Sequence, residues 1–175
     1  MKYLAIAALL LVVATAQHEV QISLVNGITA AFSHGFETGL YAQEADLSDN
    51  CAGDWADAIL EELFSAVDDI QTETYDSMTT ILKDAFFYSY QNFYFCDWNS
   101  VSADVHAFCL EHQDECNPVN VINKLVNEKD KYADFAADLK SRLVMPATLE
   151  ELVENVHEIA YDLGSIAKIM LQFYV

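Results

Sequence analysis

Apolar side chains recur at every third or fourth position along nearly the whole chain, and only two prolines and five glycines interrupt them. That spacing is helical, because 3.6 residues per turn bring i, i+3, i+4 and i+7 onto one face, whereas a half-buried strand alternates. The pattern predicts an all-α fold, a single-domain bundle of about five to six helices. Its clearest segment is the last. Thr148-x-x-Glu151 has the form of a capping box, and Leu149, Leu152, Val153, Val156, Ile159, Ala160 and Leu163 begin a rhythm that continues to Phe173.

The same periodicity predicts a first helix from about His18 to Tyr41 and a second beginning at Cys51 and carrying Trp55, Ile59, Leu63 and Phe64. A third runs from Met78 to about Trp98, after a turn or weak point between Gln71 and Ser77. A fourth is capped by Ser100 or Ser102 and stops near Cys116. Asn117-Pro118 reads as an N-cap followed by proline at the first helical position, where the missing N–H costs nothing. It opens a fifth helix expected to end before Pro146.

Met1-Lys2-Tyr3, an apolar run from Leu4 to Ala14 and the Ala14-Thr15-Ala16 site have the layout of a signal peptide over residues 1–16. Residues 17–175 are then the acidic helical domain, long enough to bury a substantial core. The run is short of the roughly 20 apolar residues a membrane span requires, and no later run reaches that length. Cys51, Cys96, Cys109 and Cys116 all follow the cleavage site, so an oxidising route favours two disulfides. If the second and third helices fold into a hairpin, Cys51 and Cys96 meet at its open end, leaving Cys109 with Cys116. That second pair demands a helix break, since seven residues of helix span about 10 Å. The rival pairing, Cys96 with Cys109 and Cys51 with Cys116, stays open.

The chain carries 28 acidic and 8 basic residues, and no Lys or Arg lies between Gln17 and Leu82. Such a surface repels phosphate backbones and anionic headgroups, which argues against nucleic acid and against adsorption to anionic membranes. It suits multivalent cations, so weak calcium binding is a candidate property. Asp46–Asp57 nevertheless makes a poor calcium loop, with Cys51 where glycine is needed and Asp57 in place of the bidentate glutamate. His106, Cys109, His112 and Cys116 are of zinc-ligand type, but their spacing matches no finger pattern and disulfide cysteines offer no thiolate. No cofactor motif and no nucleophile motif is present. His157, with Glu154 three residues before it, reads as a histidine beside solvated carboxylates. An enzyme is therefore not expected.

The most unusual stretch lies in the third helix, where Phe86, Phe87, Tyr90, Phe93, Tyr94 and Trp98 cover an arc of about 140°, with Tyr88 and Phe95 beyond it. A stripe that wide exceeds one core face. It is a centrally buried helix, the lining of an apolar-ligand cavity, or an exposed patch that docks on a protein partner or another copy. Gly35 and Gly39, four apart on the first helix, would let another helix approach closely and form a second candidate contact surface.

The motif Phe32-x-x-Gly35-Phe36-x-x-Gly39-Leu40, with Cys51 eleven residues later and then Cys96, resembles that of uncharacterised secreted, cysteine-containing helical proteins of ciliates. The resemblance implies extracellular or granule-lumen residence and carries no activity with it. Saposin-like proteins are similar in being secreted, helical and disulfide-bonded, but this chain lacks their six-cysteine pattern and is about twice their length. The expected role is a secreted structural or protein-interaction component, capable of self-association. The alternative is a carrier of an apolar ligand or lipid held near Phe86, Phe93 and the last helix.

Overall fold

The computed structural model describes residues 18–69, 74–142, 146 and 148–173. The expected signal peptide lies outside them, as does part of the expected turn between Gln71 and Ser77. The described residues form seven α-helices and no strand: α1 (His18–Tyr41), α2 (Asp54–Asp69), α3 (Thr74–Phe95), α4 (Trp98–Glu111), α5 (Pro118–Asn127), α6 (Ala133–Arg142) and α7 (Leu149–Leu171). A single 3-10 turn, Lys129–Lys131, separates α5 from α6.

Several boundaries differ from those expected, each for a local reason. α2 starts at Asp54 rather than Cys51, because Ala52 takes a left-handed conformation and the Cys51 and Gly53 amides close turns onto Ser48 and Asn50. α4 starts at Trp98 without a serine cap, because Asp97, also left-handed, ends α3 and turns the chain at once. The long fifth helix becomes two. After α5, Glu128 leaves the helical region, its N–H still bonded to the Lys124 carbonyl, and Tyr132 is buried between the two pieces. The expected caps are present: the Asn117 side chain accepts from the Val119 amide, and Thr148 Oγ1 accepts from the Glu151 amide. Removing such a cap costs about 1 kcal/mol. Thr148→Ala is expected to lower stability by that amount in urea titration, with the Glu151 amide gaining fast hydrogen exchange.

The described residues cluster into two compact units, one of those up to Ala30 together with those of Leu47–Asp97, the other of Ala31–Asp46 together with those from Trp98 onward. In the first, α2 and α3 run antiparallel, as shown by Trp55 against Phe95 at one end and Glu62 bonded to Lys83 farther along. Cys51–Cys96 closes the open end of this hairpin. Leu24, Ala56, Leu60, Ala66 and Cys96 are buried apolar residues of this unit, accompanied by buried Gln21, Asn26, Asp84 and Asn92.

In the second unit Leu40, Val101 and Phe173 form a buried cluster, with Phe36, Val105, Phe108 and Ala167 packed around it. The end of α1 runs parallel to α7, with Gly35 against the backbone of His157, Gly39 against Tyr161 and Ser165, and Gly164 against Phe36 and Leu40. A Cβ at any of the three glycines would lie closer than 3.0 Å to backbone atoms of the facing helix. Only glycine permits that approach. α4 ends at Glu111, so Cys109 and Cys116 straddle the break that their disulfide requires.

Asp162 of α7 is 3 % exposed and its Oδ2 accepts no hydrogen bond. Burial, reinforced by the Asp138 carboxylate, pushes its acid group above the usual aspartate range. A carboxyl whose pKa is raised by folding stabilises the protein at low pH and loses that contribution as pH rises through the folded value. At neutral pH the charge is a net cost. Asp162→Asn is accordingly expected to stabilise by about 1 kcal/mol at pH 7, with the gain shrinking on acidification; melting curves across that range check it.

Candidate functional site

The outer face of α3 is the most distinctive surface among the described residues. Phe86 is 65 % exposed and Leu82 67 %, and Phe87, Tyr90, Phe93 and Tyr94 are each more than two-fifths exposed. The rings form a continuous chain: Phe86 lies 6.2 Å from Phe87 and 6.0 Å from Tyr90, Tyr90 lies 5.1 Å from Tyr94, and Tyr94 lies 5.8 Å from Phe93. Hydrogen bonding to Tyr94 holds the Tyr90 phenol above the ordinary tyrosine range.

The inner face is the reverse. Asp84 is 2 % exposed, held by Lys83, whose ammonium lies 3.2 Å from one carboxylate oxygen. Tyr88 donates to Asn26 Oδ1 at 3.0 Å and lies 2.9 Å from the Thr29 hydroxyl, while Asn26 donates to Asp57 at 2.6 Å. Asn92 donates back to the Tyr88 carbonyl. Burial raises the Tyr88 phenol above its usual range. The two aromatics beyond the arc, Tyr88 and Phe95, are the ones that turn inward, onto Trp55. Ordinary amphipathic packing is thus inverted in α3: polar groups lie inside, with Asp84 Oδ2 left without a hydrogen-bond partner, and large apolar groups face out.

The other candidate residues lie elsewhere. Trp98 opens α4, stacks on Phe32 and Phe36 and donates its indole N–H to Ser33 Oγ at 2.8 Å, so it belongs to the second unit and not to the stripe. Gly35 and Gly39 are occupied by α7 of the same chain. Cys109 and Cys116 are joined, which removes them as thiolate ligands. The Asp46–Asp57 stretch is cut at its ninth position by the start of α2. Among the described residues no group of three or more His, Cys, Asp or Glu side chains is arranged to hold a metal ion.

His157 faces a partner that its sequence neighbours did not reveal: its Nε2 lies 2.8 Å from His34 Nδ1, and its Nδ1 lies 3.4 Å from Glu158. His34 Nε2 donates to the Ala45 carbonyl, so its Nδ1 accepts and His157 donates.

Two clefts are polar. One of about 330 Å³ is lined by Asp114, Glu115, Asn120, Asn123 and Lys124, and one of about 470 Å³ by Ser23, Asn26, Asp54, Asp57 and Glu61. No described helix is long and apolar enough to cross a membrane. The two disulfides fit an oxidising extracellular or secretory environment. No protein-family model, curated protein or solved structure matches the chain.

Proposed function

We propose that the protein is a secreted, non-enzymatic structural or protein-interaction component that docks through the outer face of α3. One observation carries the reading: six large apolar side chains stand outside on the same helix whose inner face holds Asp84, Tyr88 and Asn92. Exposing that much aromatic surface while burying a carboxylate is costly for an isolated chain, and the cost is recovered when a partner covers the stripe. Aromatic residues in a surface stripped of charge are the composition of an interface core. From Ala85 to Cys96 the chain carries no charged residue, although it has 28 acidic ones.

The carrier alternative has less support. Phe86 and Phe93, expected to line its cavity, lie on the surface, and the clefts of about 330 and 470 Å³ described above are lined largely by carboxylates and amides. The test is to replace Phe87 with a benzophenone-bearing phenylalanine in the full secreted chain, irradiate it in the secretory material that contains it, and identify the adducts. Protein adducts at Phe87, absent when the probe replaces exposed Glu150 of α7, are expected. Lipid adducts, or none, would overturn the docking reading.

A further inference from the structure

We infer that the occupant of the α3 stripe is the same stripe of a second copy, laid antiparallel about a two-fold axis through Tyr90; this rests on the docking reading above. The spacing of the exposed rings is its own mirror. Relative to Tyr90, Phe86 and Tyr94 stand at minus and plus four, and Phe87 and Phe93 at minus and plus three. A two-fold axis perpendicular to the helix at Tyr90 therefore sets Phe86 against Tyr94 of the second copy, Phe87 against Phe93, and Tyr90 against itself. This is the self-complementarity an isologous contact requires. The residues at steps of four and of three are also the two ridges by which helices interdigitate, and they cross at Tyr90.

Charge and area agree with this occupant. Two chains of net charge −20 repel, so self-association needs a contact free of carboxylates, and the stripe is such a face. Five rings and Leu82, each contributing about 100 Å², offer on the order of 600 Å² per copy. Two copies together bury about 1,200 Å², the lower edge of a specific interface.

Sedimentation of the full oxidised chain from low to several hundred micromolar is expected to show a reversible monomer–dimer equilibrium. Tyr90→Glu sets two carboxylates face to face on the axis and is expected to raise the dissociation constant at least about 100-fold. Tyr90→Phe should leave it within about threefold, and unchanged helical circular dichroism in both variants separates the effect from misfolding. The register has its own readout, because all four native cysteines are paired. A mixture of Phe86→Cys and Tyr94→Cys chains should cross-link on oxidation. Phe86→Cys alone should not, since its two copies stand about 12 Å apart along the axis, beyond disulfide reach.

A monomer throughout, a dimer indifferent to Tyr90→Glu, or equal cross-linking by Phe86→Cys alone would each overturn the inference. A monomer whose Phe87 probe still captures a different protein retires the second copy and leaves the docking reading standing. A monomer whose probe captures no protein retires both.

Discussion

Gly35→Ala is expected to lower the stability of the second unit by about 2–4 kcal/mol, although alanine is the better helix former. Helix propensity alone favours the change by about 1 kcal/mol. The added methyl, however, would meet the His157 carbonyl closer than 3.0 Å and crowd the Tyr161 amide. Both are backbone atoms, so no rotamer change relieves the clash and α1 and α7 must separate. Separation also pulls apart the neighbouring His34–His157 bond and loosens the packing of Leu40 against Phe173. Thermal unfolding should show a midpoint lowered by roughly 5–15 °C. A variant as stable as the parent would mean that the parallel glycine contact between α1 and α7 is wrong.

The second large effect is expected from opening the hairpin. Replacing Cys51 and Cys96 together by serine frees a loop whose ends are 45 residues apart, for which loop entropy gives about 4 kcal/mol. Cys109–Cys116 closes a separation of only seven residues, and its removal should cost about 2 kcal/mol. The ordering of the two double variants in guanidinium titration is the discriminating result. Equal losses would mean that native geometry, and not chain entropy, sets the value of these bridges. The Cys51→Ser/Cys96→Ser chain should also lose the order of Trp55 between Tyr88 and Phe95, visible as a red shift in tryptophan emission.

Much of this architecture was legible in the amino-acid order because its causes are local. The bounds of α1 and the caps at Asn117 and Thr148 follow from spacing and from side-chain chemistry within a few residues, whereas choosing between the two disulfide pairings left open took the hairpin that brings Cys51 to Cys96, 45 residues apart. The break between α5 and α6 was not legible: neither glycine nor proline marks the point where Glu128 leaves the helical region. The stripe was legible as a set of residues but not as a surface. Period alone groups Phe86, Tyr90 and Tyr94 on one face and Asp84, Tyr88 and Asn92 on another, and hydrophobicity would send the first group inward. What reverses the choice is the arrival of Asn26 and Thr29 from α1, some sixty residues earlier, with hydrogen bonds for Tyr88. The pairing of His34 with His157, 123 residues apart, is hidden for the same reason.

The inverted polarity of α3 also has a calorimetric consequence. Unfolding raises heat capacity where apolar surface becomes wetted and lowers it where polar surface does. The inner face of α3 exposes Asp84, Tyr88 and Asn92 on opening, so detaching this helix should contribute little to the heat-capacity increment. Covering its outer face, which folding alone leaves wet, should show instead as a negative heat-capacity change on association. For this helix the temperature signature normally assigned to a protein's core is carried by its outside, and it appears only when that outside is covered.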